Sequence, residues 1–172
     1  MSIILIGFMA VGKSTIGQEL AKMLQRPFID LDEWIEKQEK HSISTLFDQK
    51  GEAYFRQCEY QALKQWQDKP VVIATGGGIV THNASRTLLK KHQNVIGLEL
   101  EEAYLMRRLN NKDVQATRPL LKQQTPADIL SLYRHRLAYY YEVTDNWFIY
   151  SNESPKILAE QIILFLKDKT FV

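Results

Sequence analysis

The residues best suited to chemistry lie at the start of the chain. Gly7-Phe8-Met9-Ala10-Val11-Gly12-Lys13-Ser14 fits the spacing G-x-x-x-x-G-K-[ST] without a gap, and Thr15 follows it. Glycine admits backbone angles closed to other residues, so successive N–H groups of such a loop can turn inward onto phosphate oxygens. Lys13 can reach the β- and γ-phosphates of a nucleotide, and the Ser14 hydroxyl can sit on Mg²⁺. A helix opening at Lys13 adds its positive end. A glycine turn that matches by accident is the plainer reading. The apolar run Ile3-Ile4-Leu5-Ile6 before the loop and the helical pattern after it supply the strand and helix that phosphate binding requires.

Other candidates are scattered. Asp30 and Asp32 end the run Phe28-Ile29-Asp30-Leu31-Asp32. Alternate residues of a strand share a face, so one carboxylate could support a magnesium shell while the other meets a substrate hydroxyl. A helix N-cap at Asp32 is the structural alternative. Arg56, within Ala53-Tyr54-Phe55-Arg56-Gln57-Cys58-Glu59, is either an ordinary surface arginine or an anion ligand, and Cys58 beside it reads as a small buried hydrophobe. Gly76-Gly77-Gly78 follows a buried run; a turn needs one or two glycines, whereas three suggest something close against the backbone. Arg118, before Pro119 in a polar stretch, is either a solvated charge or the positive charge that phosphoryl transfer needs on the transferring oxygens. Arg134 and Arg136 stand about 200° apart on a helix, so at most one faces a given pocket. An arginine fork there would hold a carboxylate in bidentate fashion. The run Tyr139-Tyr140-Tyr141 reads as packing and rim. The four histidines lack metal-ligand spacing, so no zinc site is expected.

Elements must bring these residues together. Helical spacing of Ile16, Leu20, Met23 and Leu24 predicts a helix ending near Arg26-Pro27. A second strand follows over 28–32, placing carboxylates at the edge where open parallel sheets bind ligands. The pattern is helical over 32–67, broken at 41–44 and at Gly51. Strands are expected at 71–74, 94–98 and 147–150. Helices are expected at 83–91 with Asn83 as cap, at 101–109, and from Pro126 to 142. Ser154-Pro155 opens a last helix with Ile157, Leu158, Ile162, Leu164 and Phe165 mostly inward. Residues 110–125 read as a mobile lid. Strands alternating with helices predict an α/β three-layer sandwich around a five-stranded parallel sheet.

Composition narrows the function classes. A chain of 172 residues makes one domain with a sizeable core. The formal net charge of +2 gives no reason to expect a nucleic-acid or membrane surface. Cys58 is the only cysteine, which excludes an intrachain disulfide and a cysteine-based metal site. No cleavable leader and no apolar run of about 18 residues is present, so a soluble, cytoplasmic protein is expected.

With these residues assembled, the whole chain resembles the shikimate kinase family, small P-loop kinases of aromatic amino acid biosynthesis with a nucleoside-monophosphate-kinase-like fold. The match runs almost end to end. It includes the Gly-Phe-Met-x-x-Gly-Lys-Ser-Thr loop, Asp30-x-Asp32, Phe55-Arg56 before Glu59, Gly76-Gly77-Gly78, Arg118-Pro119-Leu120, and Arg136 before a tyrosine-bearing stretch. Each is common alone; six in order are specific. The resemblance implies one kinase domain over 1–172, with the phosphate loop at 7–15, a substrate-binding region at about 31–65 and a lid at about 110–125. It implies that Ala10, Val11, Gly12, Lys13, Ser14 and Thr15 hold the ATP phosphates, that Ser14 and Asp30 organise Mg²⁺, and that Arg108 and Pro155 cradle adenine. Asp32 is then the group that orients or deprotonates the shikimate 3-hydroxyl. Arg56 and Arg136 clamp the carboxylate, the backbone of Gly77 and Gly78 lies against the substrate, and Arg118 closes over the phosphates. A monomer acting on shikimate and ATP, with neither nucleic acid nor membrane as partner, is expected.

One position departs from the family's pattern: Ala10 stands where glycine is usual. Alanine disfavours positive φ, so nucleotide affinity falls if the position needs it, and the change is harmless if not. A working loop is expected. The rival readings are another small-metabolite kinase of this fold, such as a gluconate kinase, and a non-catalytic nucleotide-binding module. The paired arginines beside the glycine loop argue against the first. Lys13, Ser14, Asp30, Asp32 and Arg118 together argue against the second.

Overall fold

The computed structural model describes residues 1–110 and 125–169. The strand β1, Ile3–Ile6, is buried at every position, as a strand covered on both faces must be. It stands at the centre of a five-stranded sheet with β2 (Phe28–Asp30), β3 (Val72–Ala74), β4 (Val95–Leu100) and β5 (Trp147–Tyr150) in the order β2-β3-β1-β4-β5. All four pairings are parallel. β2 and β3 lie to one side of β1, and β4 and β5 to the other. Chains leaving the C-terminal ends of the strands therefore part around a crevice above β1, the place where open α/β sheets bind ligands. The register brings the chemistry there: Leu5 and Asp30 both pair with Ala74, so the phosphate loop, the first carboxylate and the glycine loop leave the sheet at one level.

The helices are α1 (Lys13–Leu24), α2 (Leu31–Glu39), α3 (Ile43–Trp66), α4 (Asn83–Lys91), α5 (Glu102–Leu109), α6 (Pro126–Val143) and α7 (Pro155–Lys169). α1 packs on α7, and α4 packs on both α3 and α6. The expected breaks are present: α2 ends before Lys40, and α3 is interrupted at Gly51, where φ is 81 and ψ 168. Thr125 caps α6 through a reciprocal bond pair with Asp128, and Pro126 occupies the first turn, where its missing N–H costs nothing.

Three expectations need correction. β2 stops at Asp30, and Asp32 lies in the first turn of α2; the cap of that helix is Asp30, whose Oδ1 accepts from the N–H groups of Asp32 and Glu33. The two carboxylates are thus related by a strand-to-helix turn and not by strand alternation. Asn83 does not cap α4; His82 holds the N-cap position, and the Asn83 side chain accepts from Arg86. In α7, Leu158, Ala159 and Ile162 are buried, but Ile157 and Leu164 are 46% and 61% exposed. Cys58 is half-buried against the core. Arg118 and nearly all of the expected lid lie outside the described residues.

Candidate active site

At the exit of β1 the loop closes on its own lysine. Lys13 is buried, and its Nζ donates to the carbonyls of Gly7 and Phe8 at 2.8 Å each. Gly12, at φ 95, is the N-cap of α1. Ala10 also takes a positive φ, 64. The position does need the left-handed region, and alanine occupies it. Ser14 Oγ donates to Asp30 Oδ2 at 2.6 Å, while Asp30 Oδ1 caps α2. One carboxylate therefore ties the phosphate helix to the second strand and presents oxygens beside a hydroxyl. A cavity of about 300 Å³ lies over these groups, lined by Ala10, Gly12, Lys13, Ser14, Thr15, Asp30, Asp32, Thr75, Gly77 and Arg108.

A second group gathers beneath the glycine loop. Arg56, for all its helical surface appearance, is only 7% exposed. Its Nη1 donates to Glu59 Oε2 at 2.6 Å, and its Nη2 and Nε donate to Glu52 Oε1 at 2.8 and 3.1 Å. Glu59 is fully buried, and burial, reinforced by Asp32, pushes its carboxyl up to about 7 against the pull of Arg56. The three glycines make room for this. A Cβ on Gly78 would stand 2.3 Å from Arg56 Nη2, and one on Gly76 would stand 2.3 Å from Glu59 Oε1 and 2.7 Å from Asp32 Oδ1. Arg136 reaches the same loop from α6: it is 6% exposed and donates to the Gly77 carbonyl at 3.2 Å, as does the Tyr140 hydroxyl. Burial lowers the pKa of Arg136, as expected where a cation is taken out of water. Among the described residues it has no carboxylate partner, and its Nε has no partner at all. Arg134, two residues away, is exposed and pairs with Glu102 at 3.1 Å, so one arginine of the pair faces inward.

A third group lines a cavity of about 220 Å³ between α1 and α7, where Arg108 and Pro155 meet Gly12, Thr15, Tyr150 and Glu153. Arg108 also donates to the Ala10 carbonyl at 3.3 Å, which fixes it over the loop. The residues singled out from the sequence thus come together at one sheet edge, apart from Arg118, which lies outside the described residues. Glu59, Thr75, Tyr140 and Tyr150 were not singled out as site residues. Glu59 stands three residues from Arg56, and that spacing on a helix was the available signal. Tyr150 ends a strand at the ligand-binding edge, which was the signal for it.

The family model described as shikimate kinase matches residues 9–167. The shikimate kinase of Enterococcus faecalis is 38% identical, with 97% of this chain and 99% of that protein covered. The shikimate kinase of Alkaliphilus oremlandii is 46% identical, with 81% and 83% covered. Among solved structures, shikimate kinase from Acinetobacter baumannii in complex with shikimate superposes with a TM-score of 0.82 at 32% identity, covering 98% of this chain and 94% of that one.

Proposed function

The chain belongs to the shikimate kinase family, and from that premise we propose that its phosphate loop holds ATP while Asp32, Arg56 and Arg136 hold shikimate. It is an ATP-dependent phosphotransferase with an alcohol acceptor. The proposal concerns which residue does what. It takes the 172 residues as one kinase domain that acts as a monomer in the cytoplasm, a reading supported by one continuous sheet and a single free cysteine.

The observation that carries the substrate assignment is the buried Arg136 guanidinium with a free Nε and no carboxylate beside it among the described residues. A buried cation outside any direct ion pair is costly, and a ligand carboxylate would complete one. Arg56 stands by with Glu59 behind it and the exposed Glu52 in front; Glu52 is the partner a substrate carboxylate would replace. Gly77 and Gly78 bring their backbone against the ring of the substrate. Asp32, in the first turn of α2, orients the 3-hydroxyl and takes its proton as that oxygen bonds to the γ-phosphorus and ADP leaves. Lys13 and the N–H groups from Ala10 through Thr15 neutralise the phosphate oxygens. Arg118 adds a cation from the lid, a role that rests on the family resemblance.

The adjacent oxygens of Ser14 and Asp30 suit Mg²⁺, which takes oxygen ligands and completes its shell with waters and substrate phosphates. When bound, it supplies positive charge to the β- and γ-phosphates. Asp30 holds the Ser14 hydroxyl in place for that purpose.

A coupled ADP-release assay with Mg-ATP and shikimate, gluconate or no acceptor tests the assignment. We expect release to depend on shikimate. Arg136→Ala should raise the KM for shikimate by at least ~30-fold, the cost of removing one partner of a buried charge pair, and leave the KM for ATP within twofold. Turnover with gluconate alone would retire the carboxylate clamp, and ATP binding without turnover would favour a binding module.

A further inference from the structure

Arg136 and the Tyr140 hydroxyl meet the Gly77 carbonyl from α6, and the proposed clamp works only while helix and glycine loop keep that spacing. The glycine loop leads into a short 3₁₀ turn, Ile79–Thr81, and then into α4. One side chain of α4 reaches both sides of the contact. Arg86 Nη1 donates to the Val80 carbonyl in the turn at 2.6 Å. Its Nε lies 3.4 Å from Glu142 Oε2, and its guanidinium carbon lies 4.5 Å from the centre of the Tyr139 ring. Tyr139 and Glu142 are both on α6. The remaining nitrogen, Nη2, donates to the Asn83 side chain at the start of α4.

An arginine between two helices is ordinarily a stabiliser of the fold and no more. The ion pair gives little reason for an arginine here, because Glu142 is 43% exposed and also pairs with Lys90 at 2.5 Å. What the guanidinium supplies is geometry. Its fork holds partners from the 3₁₀ turn, α4 and α6 in fixed relative positions, which a single rotating ammonium does not do. Residues three and four apart on a helix are neighbours, so Tyr139 lies beside Arg136 on α6, and Tyr140 follows it. Arg86 therefore grips α6 next to the two residues that hold Gly77. It lines neither of the cavities over the phosphate loop.

We infer that Arg86 is a positioning residue of the substrate clamp. By tying the Val80 carbonyl to α6 it holds Arg136 at the glycine loop, where the acceptor's carboxylate arrives. The inference rests on the kinase reading, in which Arg136 binds that carboxylate. Arg86 acts through Arg136, so its loss falls on the acceptor and spares the nucleotide.

The test is steady-state kinetics of the full chain carrying Arg86→Lys or Arg86→Met, each also made in the Arg136→Ala background, with melting temperatures alongside. Arg86→Lys keeps the charge and the stem, so it removes the fork without emptying the site. Either variant should raise the KM for shikimate roughly 3–10-fold, the worth of one hydrogen bond, and leave kcat and the KM for ATP within twofold. In the Arg136→Ala background the same change should raise the shikimate KM less than twofold further, because contributions that work through one another do not add. A lower melting temperature with an unchanged shikimate KM overturns the inference, and so does an equal rise in both KM values. A full 3–10-fold rise in the Arg136→Ala background also overturns it, since a role in the fold alone would be additive. If the clamp reading itself fails, Arg136→Ala leaves the shikimate KM unchanged and the inference falls with it. An unchanged KM in the Arg86 variants beside a raised one in Arg136→Ala overturns the inference alone.

Discussion

Ala10 holds φ 64, in the left-handed region that favours glycine. A non-glycine residue in that region carries strain on the order of 1–2 kcal/mol, and here the strain is part of folding the loop. Ala10→Gly should therefore change ATP affinity by less than tenfold, measured by calorimetry; a larger gain would mean that alanine distorts the bound loop. Gly78 shows the opposite kind of constraint. Its backbone is unstrained at φ −104, but the Arg56 guanidinium lies where a Cβ would go. That guanidinium is buried and paired with Glu59, so pushing it aside disturbs a buried ion pair and Gly78→Ala should lower the melting temperature. Displacing a charged hydrogen-bonding group costs about 1.5–3 kcal/mol of binding, so the KM for shikimate should rise roughly 10-fold or more. A variant with normal shikimate affinity would separate Arg56 from the substrate.

α2 depends on Asp30 for its first turn and, in the proposed site, lends the same residue to magnesium. The two tasks can be separated, because asparagine caps helices about as well as aspartate but carries no charge. Asp30→Asn should keep thermal stability within about 0.5 kcal/mol and raise the Mg²⁺ concentration needed for half-maximal activity. Asp30→Ala should lose about 1 kcal/mol of stability as well. Urea unfolding alongside magnesium titration of activity distinguishes the pair; a normal magnesium requirement in Asp30→Asn would remove Asp30 from the metal shell. The short β2 matters here. Ending the strand at Asp30 starts α2 at Leu31, and this places Asp32 one residue into a helix, beside the cavity rather than along the sheet.

The molecule as a whole encloses a carboxyl, Glu59, with no exposure to water. Its native pKa, about 7, lies above its ordinary value of 4.5. The folded chain then binds more protons than the unfolded chain between those values, so the stability this group contributes is complete below 4.5 and is lost as the pH rises through 7. His92 works in the other direction, since burial lowers its pKa. Comparison with Glu59→Gln isolates the effect: wild type should lose melting temperature relative to the variant as pH rises from about 5 to about 7.5. Parallel curves would show that Arg56 keeps Glu59 ionised throughout.

Much of this was legible in the chain itself. The apolar run before Gly7, the break at Gly51 and the strand Trp147–Tyr150 followed from local rules, because strand burial, helix interruption and turn chemistry are written in neighbouring residues. The phosphate-loop spacing fixed its own chemistry in the same way. Tertiary structure decided what depends on distant partners. Arg56 looked like surface until α3 was set against the glycine loop, and Glu59 became a buried acid only with Asp32 and Arg56 around it. Tyr150 read as the end of a strand, and its burial beside Arg108 appeared only once α1, α5 and α7 met around one cavity. Burial and pairing are sums over residues far apart in the chain, so local pattern names the participants and only packing sets their charge, their partners and their unmet bonds.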